Sequence, residues 1–266
     1  MHPVIFGIVN ITEDSFSDGG LYLSPETALA HARKLAIEGA DVLDFGAASS
    51  NPDAKHVPHD VEIARLAPVV AALKKEGQKI SIDTFAPQTQ VWAIGQGVDY
   101  LNDIQGFPDG KIYPALAKAK CKLVVMHSVQ GRGPATRAPG DASTVMERIF
   151  DFFRGRIDAL TKAGVARERL ILDPGMGLFL GAGVEVSLTV LRRLPELKRA
   201  FQLPVLVSVS RKSFLRKLTG RDAGQAGAAT LAAELFAAAQ GADFIRTHEP
   251  APLKDALTVA EALRGG

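Results

Sequence analysis

Along the whole chain, short apolar or β-branched runs ending in a polar cluster alternate with longer segments of helical periodicity. Eight such runs cover residues 4–10, 41–46, 79–84, 100–104, 122–127, 170–173, 204–210 and 244–248. Ser24-Pro25-Glu26 sets a capping residue before a proline at the first helical position, and Gly39 closes that helix. Its Ala28, Leu29, Ala32, Leu35 and Ala36 fall on one helix face. Similar faces recur at 61–73, 145–160, 186–197, 226–239 and 253–263. Eight alternations of strand and helix predict an α/β protein, a single (β/α)8 TIM barrel over residues 1–266. The rival, a doubly wound sheet, more often stops at about five or six strands. Two strand-to-helix connections, 11–23 and 129–142, are long and read as functional loops.

Composition narrows the class of function. Net charge is +2, from 31 basic and 29 acidic residues, so no charge excess points to nucleic acid or a membrane surface. Cys121 is the only cysteine, which rules out an intrachain disulfide and suits a reducing compartment. Met1-His2-Pro3 lacks a basic start, and the apolar run 4–9 stops at Asn10 without a cleavage pattern. The small, apolar stretch 226–239 holds Thr230 and Glu234, out of place in a spanning helix. A soluble, cytoplasmic protein is the expectation.

In a barrel of this kind the chemistry gathers at the C-terminal ends of the strands. Those ends carry Asn10, Asp44, Asp83, Asn102-Asp103, Met126-His127, Asp173, Ser210-Arg211-Lys212 and Arg246-Thr247-His248. Acids and amides together suit a ligand rich in N–H donors, such as an aminopyrimidine ring that pairs bidentately with a carboxylate. The basic groups gather on the last two strands, where this fold commonly builds a phosphate site. A polar heteroaromatic ligand with its phosphate toward strands seven and eight follows. Plainer readings stand beside these. Asp44 reads equally well as a partner for backbone inside the barrel mouth, and Asp83 and Asp173 could be helix caps. His127 reads as a satisfied strand-end histidine, and Arg216, Lys217 and Arg221 as an ordinary charged face. The cluster Gly175, Gly177, Gly181 and Gly183 misses the dinucleotide-binding spacing. No structural-zinc spacing, nucleophile elbow or P-loop occurs in the sequence.

The motifs also resemble a known family. Gly7-Ile8-Val9-Asn10-Ile11-Thr12, running into Asp14-Ser15-Phe16-Ser17-Asp18-Gly19-Gly20, is similar to the first signature of the dihydropteroate synthases. Ser81-Ile82-Asp83-Thr84, Asn102-Asp103-Ile104, Met126-His127, Leu172-Asp173-Pro174-Gly175, Ser210-Arg211-Lys212-Ser213 and Arg246-Thr247-His248 look like the later ones, in order. The resemblance implies condensation of 6-hydroxymethyl-7,8-dihydropterin diphosphate with p-aminobenzoate, giving 7,8-dihydropteroate and pyrophosphate. It implies a pterin ring held by Asp83, Asn102, Asp173 and Lys212, with Ile104 and Met126 on its faces. It assigns the diphosphate to Asn10, Arg246 and His248, with Asn10 also near Mg²⁺. The aminobenzoate falls to Ser50, Pro52, Leu178, Phe179, Lys212, Ser213 and Phe16. Asp18 joins Asp83, Asp173 and Lys212 as a candidate catalytic group. The family also implies a homodimer through the later helices.

Departures from the family pattern sharpen this expectation. Asn51 stands where an arginine contacting diphosphate is usual, Ser50 where a threonine is, and Glu13 where a proline is. Met176-Gly177-Leu178-Phe179-Leu180-Gly181 replaces a segment that usually carries a lysine. Ala48-Ser49-Ser50-Asn51-Pro52, Gln105-Gly106-Phe107-Pro108 and Thr247-His248-Glu249 look like the mobile, sulfonamide-resistant subgroup. In that reading Phe179, with Leu178 and Phe214 beside it, narrows the pocket beyond the aminobenzoate. Two rivals remain open: a methyltetrahydrofolate:corrinoid methyltransferase-like barrel and a non-catalytic pterin-binding protein. The first has no use for Ser210-Arg211-Lys212-Ser213 with Arg246 and His248; the second would bind pterin without releasing pyrophosphate.

Overall fold

The computed structural model describes residues 2–12, 24–131 and 133–265. Phe16 and Asp18 lie outside them. The strands are β1 (Val4–Asn10), β2 (Val42–Gly46), β3 (Ile80–Asp83), β4 (Tyr100–Asp103), β5 (Lys122–Met126), β6 (Leu170–Asp173), β7 (Leu206–Val207) and β8 (Phe244–Thr247). They form one parallel sheet in the order β6-β5-β4-β3-β2-β1-β8-β7. A bridge between Leu172 and Val205, with the Leu172 N–H donating to the Pro204 carbonyl at 2.9 Å, joins the two ends into a barrel.

Around the strands run α1 (Pro25–Ile37), α2 (His59–Lys75), α3 (Pro87–Gly95), α4 (Tyr113–Lys118), α5 (Val145–Lys162), α6 (Val184–Arg192), α7 (Leu194–Phe201), α8 (Ser213–Thr219), α9 (Gly227–Ala239) and α10 (Pro250–Leu263). Ser24 caps α1 as expected, accepting from the Thr27 N–H. The single face read over 186–197 is two helices. Pro195, in the first turn of α7, has no N–H to continue α6, so the chain breaks at Arg193. The short helices α3, α4 and α8 carry too few turns to show a period in the sequence.

Strand alternation divides the core in two. Ile5, Val9, Leu43, Phe45, Ile80, Ile82, Leu123, Val125 and Ile245 pack outward in the large cluster beneath the helices. Phe6, Val42, Tyr100, Val124, Ile171, Leu206 and Phe244 pack on one another as a plug inside the barrel, with Phe6, Tyr100 and Phe244 in edge-to-face contact. Two residues further along, on the same face, stand Ile8, Asp44, Asn102, Met126, Asp173, Ser208 and Arg246. The layer above the apolar plug is therefore polar. An apolar floor with a polar layer over it is a ligand site, since a barrel filled only for stability would stay apolar throughout.

Candidate active site

Strand register brings the polar layer into a ring of opposed charges. Arg246 on β8 donates through Nε to Asp44 Oδ2 on β2 and through Nη2 to Asp83 Oδ2 on β3, the latter at 2.8 Å. Asp44 is fully buried, so its charge is tolerable only with such a partner. Burial works against the Arg246 charge, yet Asp44 and Asp83 outweigh it and hold the guanidinium above its ordinary value. The sequence reads Asp44 either as a ligand-facing acid or as a partner for backbone; the structure instead pairs it with Arg246.

The other acids are poised close to neutrality. Burial pushes the Asp83 carboxyl up to about 7 despite Arg246, and burial lifts Asp173 to about 6 against the Gly175 N–H and Lys212. Lys212 is brought down to about 8 by burial and by the neighbouring Arg246 charge. Asp173 Oδ1 accepts from the Gly175 N–H at 2.8 Å. Gly175 has φ of +73°, and an added Cβ would meet the His127 carbonyl oxygen at 2.4 Å, so only glycine closes this turn. Asn102 is buried beside Asp83 in register on β4, and its Oδ1 has no hydrogen-bond partner. A buried acceptor without a donor is costly unless a ligand supplies one.

Next to this ring lies a cavity of about 170 Å³ lined by Asn10, Ser50, Asn51, Asp83, Lys212, Arg246 and His248, with Ser210 and Arg216 among its other walls. Asn10, Asp83, Ser210, Lys212, Arg246 and His248 are strand-end residues, Ser50 and Asn51 come from the resemblance, and Arg216 reads in the sequence as part of a charged face. His248 Nδ1 and Ser210 Oγ lie 2.8 Å apart, and burial beside Arg211, Arg246 and Lys212 holds the imidazole well below its ordinary value. The ring is neutral. His127 is a structural residue: Nδ1 pairs with the Pro174 carbonyl at 3.1 Å, and burial keeps it neutral, near 4. Asp103 is likewise spent on the backbone N–H groups of Gln105 and Phe107.

Ile104, Met126, Ala135 and Phe179 form a separate apolar cluster, with Phe85 and Leu178 against it. Lys212 Nζ sits 5.0 Å from the centre of the Phe179 ring. Phe179 thus stands at the junction of the apolar wall and the charged ring. Ser213 and Lys212 face Gly177, where an added Cβ would come within 3.6 Å and 3.5 Å of them. Pro52 lies half-buried in the loop after β2 and does not line the cavity.

A long loop after β5 ties the rim together. Ala135 N–H donates to the Ser50 carbonyl at 2.9 Å and Arg137 pairs with Asp53, which fixes the loop after β2. On its other side Val129 N–H donates to the Phe179 carbonyl at 3.0 Å and Gln130 Nε2 to the Leu178 carbonyl at 3.2 Å. Gly140 and Gly181 touch backbone to backbone: a Cβ on Gly181 would meet Gly140 Cα at 2.4 Å. The sequence signalled a functional loop here, but not which segments it would join.

A barrel with an apolar floor, paired acids and cations above it and an adjoining anion-ready cavity defines a pterin-binding enzyme, and the model of the pterin binding enzyme family matches residues 6–248. Within that class the chain belongs to the dihydropteroate synthases. It is 64% identical over 261 residues to dihydropteroate synthase type-2 of Escherichia coli, covering 98% of this chain and 96% of that one. It is 56% identical to the type-3 protein of the same organism over 259 residues, 97% of this chain and 98% of the other. The crystal structure of Yersinia pestis dihydropteroate synthase with a sulfonamide drug complex superposes with a TM-score of 0.91 at 32% identity, over 99% and 95% of the two chains.

Proposed function

We propose that this enzyme transfers the pterin-methyl group of 6-hydroxymethyl-7,8-dihydropterin diphosphate to the amine of p-aminobenzoate, with Asp83, Asn102, Asp173 and Lys212 holding the ring. The observation that carries this reading is the pairing of two near-neutral buried acids with the unpartnered Asn102 acceptor above an apolar floor. A ring edge bearing several N–H groups satisfies all three, and it keeps Asp83 and Asp173 ionised by donating to them. Ile104 and Met126 supply the flat apolar contacts. Asn10, Asn51, Arg246 and His248 receive the diphosphate. Cations around its oxygens let the C–O bond break, and the nearby carboxylates stabilise the methylene cation. The weakly basic arylamine then attacks as the free base and loses one proton to the departing pyrophosphate. Ser50, Pro52, Leu178, Lys212 and Ser213 lie along its approach.

The donor set suits a magnesium ion carried by the diphosphate. The Asn10 amide oxygen lies beside the cavity, and a hard cation of this kind needs few protein ligands when phosphate and water complete its shell. Among the described residues no group of three or more His, Cys, Asp or Glu is placed to hold a metal ion. Bound there, the ion would neutralise charge on the leaving group. We place the enzyme in the cytoplasm, and no helix of the described residues is long and apolar enough to cross a membrane. A homodimer through the later helices is supported by Leu218, Phe236, Val259 and Leu263, which stay exposed on α8, α9 and α10.

Sulfonamide insensitivity is the second part of the reading. Phe179 is buried in the apolar cluster beside Lys212, and bulk at that point would reject a longer acid end while sparing the shorter aminobenzoate. A discrimination of ~1000-fold needs about 4 kcal/mol, within reach of a steric clash plus one lost polar contact. Pyrophosphate release from both substrates tests the activity, and the same assay with a sulfonamide tests the insensitivity. Binding of the pterin without release would leave a binding module, and inhibition at micromolar drug and low aminobenzoate would remove the resistance.

A further inference from the structure

Counting charge around the cavity isolates one side chain. Arg246 is held by Asp44 and Asp83, and the Lys212 charge faces Asp83 and Asp173. Three carboxylates thus stand against two cations, and the neutral His248 adds nothing. A diphosphate entering such a ring would meet no net positive charge. Arg216, on α8, lines the same cavity as Asn10, Ser210, Arg246 and His248. Its Nε is buried with no hydrogen-bond partner, and among the described residues no acid forms an ion pair with it. It lies four residues beyond Lys212, the N-cap of α8, and both line this cavity. Its neighbours on the chain, Lys217 and Arg221, behave as a solvated face should; Lys217 reaches out to the Ala182 carbonyl at 3.1 Å. Arg216 is half-buried, and its Nε, closed off from water without an acceptor, carries an unmet hydrogen-bonding cost; its position beside an anion-sized space therefore calls for an anion.

We infer that Arg216 is a diphosphate-binding residue, the one cation of the described cavity lining that no carboxylate neutralises, and that it grips the leaving group and then the released pyrophosphate. This rests on the reading of the cavity as the diphosphate site. Guanidinium geometry suits two phosphate oxygens at once, which Lys at the same place would not reproduce.

Titration calorimetry of inorganic pyrophosphate with magnesium into the whole enzyme and into Arg216→Gln is the test, with Arg221→Gln as a control for net charge. Arg216→Gln is expected to weaken pyrophosphate by about 10- to 100-fold and raise the KM for the pterin diphosphate in step. Binding of unphosphorylated 6-hydroxymethylpterin should be unchanged in both variants, and Arg216→Lys should recover only part of the loss. Equal pyrophosphate affinity in the wild type and Arg216→Gln would overturn the inference and leave the cavity assignment intact. A shift confined to the aminobenzoate KM would also overturn it, by giving Arg216 to the arylamine carboxylate. Failure of the wild type itself to bind pyrophosphate would instead remove the cavity assignment beneath it.

Discussion

The strand ends and the loop rim meet at Lys212 and Phe179, but they are built on different physics. Asp44, Asp83, Asn102, Asp173 and Arg246 project from strands whose register is set by the barrel hydrogen bonds, and their side chains answer one another as ion pairs and buried acids. Ser50, Leu178 and Phe179 sit on loops held by backbone contacts with a third loop far away in sequence. The first region fixes which charges face the ligand. The second fixes how much room remains beside them. Changes at the strand ends should therefore destroy turnover, and changes in the loops should alter selectivity while turnover survives.

The largest effect should come from Asp173→Asn. It removes a carboxylate proposed to accept from the ring, and kcat/KM should fall at least ~100-fold, since a charged hydrogen bond is worth about 3 kcal/mol in such a site. The melting temperature should hold or rise, because the amide sheds the desolvation that lifts Asp173 to about 6. A large loss of both activity and stability would show that the residue is structural and would blur the line between the two regions.

Acidity should separate the regions almost as sharply. Asp83 must be ionised to accept from the ring, and burial has raised its pKa to about 7. In the free enzyme kcat/KM for the pterin diphosphate should therefore decline as pH falls below 7, approaching tenfold per unit. It should decline again above about 8 as Lys212 loses its proton. The inhibition constant of a sulfonamide relative to the aminobenzoate KM should stay flat over the acid limb, because nothing in the loop contacts titrates there. A ratio that follows the acid limb would show that drug exclusion depends on the charged ring rather than on bulk.

Much of the first region was legible in the sequence and much of the second was not. Period-two alternation, followed from Val42, Tyr100, Val124 and Ile171 to the strand ends, points to Asp44, Asn102, Met126 and Asp173 without any knowledge of the fold. Their partnerships are another matter. Asp44 and Arg246 are 202 residues apart, so only closure of the barrel reveals their pairing. Arg216 looked like part of a solvated face because it sits among basic residues, while the short helix that turns it inward has too few residues to show a period. The contact of Gly140 with Gly181 left no trace beyond two ordinary loop glycines, since backbone packing has no side-chain pattern.

That contact gives a smaller and more selective prediction. Gly181 has φ of +108° and no room for a Cβ against Gly140, so Gly181→Ala must push the loops after β5 and β6 apart. Phe179 is bonded to that loop through its carbonyl and should move with it. Sulfonamide inhibition should strengthen by about tenfold while kcat with the natural substrates changes less than that. Arg137→Ala, which cuts only the tie to Asp53 on the far side, should have a weaker effect in the same direction. If Phe179→Ala restores inhibition and Gly181→Ala does not, Phe179 is held by its own turn and the loop is a bystander.

The smallest effect concerns a residue that serves the strand end from behind. Glu234 on α9 is buried, its Oε1 has no partner, and burial raises its carboxyl to about 8 from a usual 4.5 despite a hydrogen bond with Thr247. Between those two values the folded chain keeps a proton that the unfolded chain has released. Stability must then drop as pH rises through that window, by up to about 1.4 kcal/mol per unit. Glu234→Gln keeps the shape and cannot ionise. Its melting temperature should match the parent near pH 5 and exceed it by several degrees or more at pH 8, as followed by calorimetry. Because Thr247 lies between Arg246 and His248, pyrophosphate affinity measured on the same variant asks more of the comparison. An unchanged affinity would confine Glu234 to stability, whereas a loss would extend the strand-end region through β8 into the helix behind it.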